Sequence, residues 1–166
     1  MAGWARVAAM IGLVGFCAGA FGTVALSQDR GATPPKETIF ARKILMDSIG
    51  RNMDDIEANA ASAKVDLAEG RDHADIISVM LMAFPHLFPP STNEWKPNVP
   101  DRDAGRDTFA APEIWTGFAD FYKRTHDAAD LAFKVSRAET EAAFKDQVGQ
   151  LRVACDSCHA IYMKKD

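Results

Sequence analysis

Phe144, Val148, Leu151, Cys155, Cys158 and Tyr162 follow one another at steps of four, three, four, three and four residues. Steps that alternate between three and four keep to one face of an α-helix. A strand cannot hold these six residues on one side, because every step of three crosses to its other face. The C-terminal part of the chain is therefore predicted to be a helix with an apolar seam. Two of the chain's three cysteines lie on that seam, so their chemistry belongs to the inside of a helical domain.

The cysteines belong to the stretch "CDSCHAIY". Two thiols at this spacing serve three chemistries. They form redox disulfides in thioredoxin-like proteins. They supply half of a zinc site. Followed by His, they are the attachment point of a c-type haem. The last uses all three residue types, since each thiol adds to a haem vinyl group and the imidazole reaches the iron. On a helix Cys155 and Cys158 lie one turn apart, and His159 lies one turn beyond Cys155 on the same side. A redox pair prefers a βαβ context, which the chain lacks. Zinc needs a further protein ligand or a second cysteine pair, and the third cysteine, Cys17, lies far away in an apolar segment. The expectation is one covalent haem c, with zinc or disulfide chemistry as the alternatives.

The rest of the chain reads as helices that could enclose such a group. Ile39, Met46, Ile49, Met53, Ile56, Ala60 and Ala63 form a first seam, interrupted by Arg42. Gly70 reads as the close of a charged stretch. "HADIISVMLMAFPHLFPP" gives a second helix, with Ile76, Ile77, Met80, Leu81 and Phe84 facing in and Pro85 stopping it. "STNEWKPNVPDRDAGRDT" is a long polar crossover. A third helix starts at "APEIW", with Pro112 and Glu113 suited to a first turn; its apolar positions include Ile114, Trp115, Phe118, Phe121, Tyr122, Ala129 and Ala132, of which Trp115, Phe118 and Phe121 read as core or pocket wall. No segment alternates as a strand does. The fold class is all-α: an antiparallel four-helix bundle with one long crossover. Hydrophobic residues make up 48% and charged residues 25%, which suits one globular domain. A net charge of −4 without a basic block argues against a nucleic-acid partner.

The N-terminus stands apart. After Arg6, an uncharged run from Val7 to Ser27 reads as a secretory signal peptide or a membrane anchor. Ala25 and Ser27 offer a cleavage site before Gln28. The expected organisation is signal or anchor 1–27, linker 28–36 and four-helix domain 37–166, with the domain in the periplasm, either soluble or anchored through residues 7–27. Attachment of haem to CxxCH outside the cytoplasm agrees with export.

Together these residues resemble the class II cytochromes c, which comprise cytochrome c′ and its low-spin relatives, the cytochromes c-556. "CDSCHAIY" is similar to the family's C-terminal haem motif. "APEIW" matches its third-helix start, "AFPHLFPPST" its second-helix end and "FARKILMDSIGRNM" its first helix. Met163 stands after Tyr162 where the family often has a basic residue. The resemblance implies that one position of the first helix decides function. An apolar residue there leaves a five-coordinate iron that binds NO or CO. A Met there completes a low-spin His/Met site. Spacing alone leaves Met46 and Met53 both open, and the family match puts Met46 at that position, with His159 as the other iron ligand.

Arg42, one turn before Met46, is expected either to pair with a haem propionate, as the resemblance implies, or to be a solvated arginine bordering the core. His73, His86 and His126 read as structural or exposed. No nucleophile–base pair or acid pair stands out, so the chain is expected to be an electron carrier and not an enzyme. Its partners are then redox proteins. The alternatives are a five-coordinate gas-binding protein and an anchored haem subunit of a larger redox complex. Family members often pair through their first two helices, which allows a homodimer, although no exposed apolar stripe is evident in the sequence.

Overall fold

The computed structural model describes residues 33–103 and 105–164. Five helices follow in chain order: α1 Pro35–Ala61, α2 Leu67–Ala83, α3 Glu113–Thr116, α4 Phe118–Val135 and α5 Glu141–Tyr162. α1 packs on α2 and α5, α2 on α4, and α4 on α5. This closes a four-sided antiparallel bundle, with α3 as a single turn at the head of α4. Among the described residues there is no strand, only one isolated antiparallel bridge between Ala110 and Met163. Pro35 and Lys36, assigned to the linker, already belong to α1. No described helix is long and apolar enough to cross a membrane. The expected signal or anchor, residues 1–27, lies outside the described residues.

Side-chain chemistry explains where the long helices begin. Proline occupies the first turn of α1, where its missing N–H costs nothing. Asp66 caps α2 by accepting from the Ala68 and Glu69 amides at 3.0 and 3.1 Å. Thr140 caps α5 by accepting from the Ala143 amide at 3.2 Å. The cap at Asp66 corrects the reading of Gly70 as the end of a charged stretch. Gly70 is buried inside α2, and a Cβ there would run into the ring of Phe144 on α5. Its lack of a side chain lets two helices approach closely.

The third helix is also broken. The Gly117 amide donates to the Glu113 carbonyl at 2.9 Å and ends α3, and α4 starts afresh at Phe118. The offset leaves Phe118 and Tyr122 exposed instead of in the core, while Ile114 and Phe121 are buried. Ile76, expected to face in, is exposed as well, since Ala74, Ile77 and Leu81 make the inward face of α2.

Two apolar clusters fill the bundle. The larger runs from Ile49, Met53 and Ile56 through Ile77, Ala132 and Val135 to Phe144, Val148 and Leu151. The smaller joins Phe84, Phe88, Ile114, Phe121 and Tyr162. Met46 and Leu45 pack against both.

Candidate haem site

A cavity of about 290 Å³ opens beside the junction of these clusters. Cys155, Cys158, His159, Met46 and Arg42 all line it. Its size is at the low end for a ligand pocket. The structure thus brings all five sequence-predicted residues together.

The two cysteines and His159 occupy the last two turns of α5 and are half-buried. Cys155 packs against the larger cluster and Cys158 against the smaller. Burial pushes the Cys155 thiol up and the Cys158 thiol up to about 11. A redox CxxC works through a lowered thiol, so this environment argues against the disulfide chemistry. Burial pulls His159 the other way, below its ordinary value, and favours the neutral imidazole that a metal needs. Among the described residues no group of three or more His, Cys, Asp and Glu side chains could hold a bare metal ion. His73 instead shares a 2.8 Å hydrogen bond with Asn52. His126 stacks on Tyr122 at 4.2 Å, and His86 is exposed.

Arg42 is buried, with 3% of its surface exposed, which removes the solvated reading. It donates to the Thr92 hydroxyl at 2.9 Å and to the Thr108 hydroxyl. Its guanidinium lies 4.6 Å over the Phe88 ring and 5.7 Å from that of Trp115. Burial pulls it down to about 10. A buried cation held by hydroxyls and ring faces at a cavity wall suits an acidic group lodged in that cavity. None of this surrounding was visible in the sequence, because Phe88, Thr92, Thr108 and Trp115 come from the segment that follows α2.

That segment forms one wall. The Ala111 amide donates to the Tyr162 carbonyl at 2.9 Å, and the Lys164 amide to the Phe109 carbonyl at 2.8 Å. These bonds hold Thr108, Phe109 and Ala110 against the C-terminus of α5, where they line the cavity. The polar composition of the crossover hid them from sequence reasoning. Tyr162 donates to Asp120 at 2.6 Å and ties the same end of α5 to α4. Arg152 of α5, which also lines the cavity, makes a two-point ion pair with Glu57 of α1, both contacts at 2.6 Å.

The donor set fits haem c. Two thiols and an imidazole share one helix face, a thioether lines the same cavity, and a buried cation stands ready for a propionate. Gly50 adds to the fit. It lies within α1 on the cavity wall, and beyond its own helix backbone and chain neighbours a Cβ there would meet nothing within 4 Å. A helix-interior glycine costs about 1 kcal/mol relative to alanine, so the protein's own packing gives no reason for it. Its place on the seam, four residues after Met46, was the signal that sequence reasoning passed over.

Known proteins share this fold. A cytochrome c′ from Rhodopseudomonas palustris is 26% identical, covering 78% of this chain and 97% of its own, with a TM-score of 0.66. A cytochrome c′ with an unusual ligand-controlled dimer dissociation is 25% identical, covering 81% of this chain and all of its own, with a TM-score of 0.68. An oxidised cytochrome c556 from R. palustris shares the fold at 23% identity and a TM-score of 0.65, covering 78% of this chain and 98% of its own. No curated protein sequence matches the chain. The family model described as cytochrome C′ matches residues 37–163. The chain belongs to the cytochrome c′ family, whose members carry one covalently bound haem c.

Proposed function

We propose that this protein carries single electrons in the periplasm through a low-spin haem, with His159 and Met46 as the two iron ligands. When bound, haem c supplies a one-electron iron couple, and His/Met ligation raises its potential. Cys155 and Cys158 tether it, His159 holds the iron from α5, and Arg42 pairs with a propionate. The aromatic cluster of Phe84, Phe88 and Phe121 keeps water from the buried side. The protein acts as a carrier and not as an enzyme.

One observation carries the choice of Met46. It packs against both apolar clusters, the larger of which Cys155 also touches and the smaller of which Cys158 touches. Met53 also lines the cavity, but it is 2% exposed and belongs to the larger cluster alone. The spectrum of the unmodified protein tests this reading. Low-spin iron in both oxidation states, a weak near-infrared sulfur–iron band in the ferric form and poor CO binding are expected. High-spin iron would contradict it.

The likeness to cytochromes c′ supports a second reading, in which Met46 packs aside and the protein binds NO or CO. A third reading, an anchored subunit of a larger redox complex, depends on residues 7–27. Intact mass of soluble and membrane fractions tests it, since a mature chain starting near Gln28 excludes the anchor.

We further infer a homodimer through α1 and α2. The similar cytochrome c′ with ligand-controlled dimer dissociation supports it. So do Phe40 and Ile44 on α1 and Ile76, Val79 and Met82 on α2, all exposed. Such a stripe is hidden in the sequence, where the apolar pattern of α2 puts Ile76 in the core.

A further inference from the structure

Gly50 lies on the face of α1 that lines the cavity, four residues after Met46 and three before Met53. It is half-buried, and a Cβ there would meet nothing within 4 Å. Arg152 fixes the level at which it stands. From α5 this arginine reaches Asp54 at 3.9 Å and Glu57 at 2.6 Å across the antiparallel pair. Both helices rise equally per residue. Seven residues further along α5, and seven back along α1, His159 stands level with residues 47–50. Gly50 is within that stretch, Met46 is one residue before it and Met53 is three beyond it.

We infer that Gly50 is a positioning residue for the haem. Its missing side chain leaves room for the haem face at the level of His159. It thereby sets how closely α1, and the Met46 sulfur with it, can approach the iron. The inference rests on haem held by Cys155, Cys158 and His159. It adds that this backbone position, and not only the identity of the residue at 46, decides whether a sixth ligand reaches the metal.

Gly149 supplies a matched control. It too lies within a long helix, α5, and a Cβ there would meet nothing within 4 Å. It is exposed, however, and does not line the cavity. Alanine is the better helix former at both positions, so neither substitution threatens the fold. In the haem-loaded protein, Gly149→Ala should raise the melting temperature and leave the haem spectrum unchanged. Gly50→Ala should shift low-spin iron towards high spin. Apparent CO affinity should then rise about tenfold, because it scales with the fraction of molecules whose iron is free of Met46. Gly50→Ser should repeat the shift if added size is its cause.

The test also separates this inference from the reading of Met46. If the unmodified protein is high-spin, Met46 ligation fails. The added methyl at position 50 should then narrow the cavity and lower CO affinity, which still supports a positioning role. If Gly50→Ala and Gly149→Ala give the same spectrum and the same CO affinity, the inference is overturned, whatever the spin state of the unmodified protein.

Discussion

The two ends of the bundle treat the same kind of sequence feature in opposite ways. At one end Gly70 of α2 lies under the ring of Phe144, which fills the space a side chain would need. At the other end Gly50 of α1 faces a cavity, and nothing beyond its own helix backbone and chain neighbours comes within reach of a Cβ. The seam of α5 shows the same contrast. Phe144 and Leu151 are fully buried, whereas Cys155, Cys158 and His159 further along are only half-buried. The protein completes one end of its core with its own side chains. The other end is shaped for a group from outside, with attachment, ligation and charge placed around it. Stability and haem chemistry should therefore separate along the length of the bundle.

The largest test of that separation removes the tether. Replacing Cys155 and Cys158 by alanine should abolish covalent haem, read as complete loss of haem staining after denaturing electrophoresis. Haem that survives on the doubly substituted chain would break the assignment. At the other end Phe144→Ala should cost about 3–5 kcal/mol, because it opens a cavity against Gly70 in a packed core. Denaturant melts should show that loss, while the haem spectrum of the folded protein stays unchanged. A spectral shift would mean that the two ends are coupled.

The smallest expected effect lies between the ends. Arg152 holds the Glu57 carboxyl below its ordinary value, chiefly through their hydrogen bonds. A carboxyl held low in the folded state stabilises it above the unfolded value, and that contribution is lost as pH falls through the folded one. Both side chains are 36% exposed, so solvent screening limits the pair to under about 1 kcal/mol. Glu57→Gln should lower the melting temperature slightly at neutral pH, and the gap to the unmodified protein should close as pH falls below the ordinary carboxylate range and through the lowered folded value.

The sequence displays these two ends unequally. The α5 seam was legible because each of its residues contacts a helix neighbour at fixed spacing, and the haem motif lies on that seam. The four-helix class followed from similar seams. Gly70 was misread because a glycine looks the same in a sequence whether it ends a helix or admits a ring from another one. The break at Gly117 passed unnoticed because "APEIWTGFADF" keeps an apolar pattern across it. Arg42 could not be settled from its neighbours in α1. Its burial depends on Phe88, Thr92, Thr108 and Trp115, residues from 46 to 73 positions further along the chain. Local periodicity reports a helix face, but the cavity is made by segments that meet only after folding.

Met46, packed against both clusters, is the residue proposed to ligate the iron together with His159. The most direct measurement is the spin state of ferric and ferrous haem in Met46→Leu, with Met53→Leu as its partner. Exchanging Met for Leu in a core usually costs under about 1.5 kcal/mol, so both variants should fold. Met46→Leu should turn the iron high-spin and admit CO or NO, and Met53→Leu should leave the low-spin spectrum in place. An unchanged low-spin spectrum in Met46→Leu, or a high-spin spectrum already present in the unmodified protein, would contradict the claim.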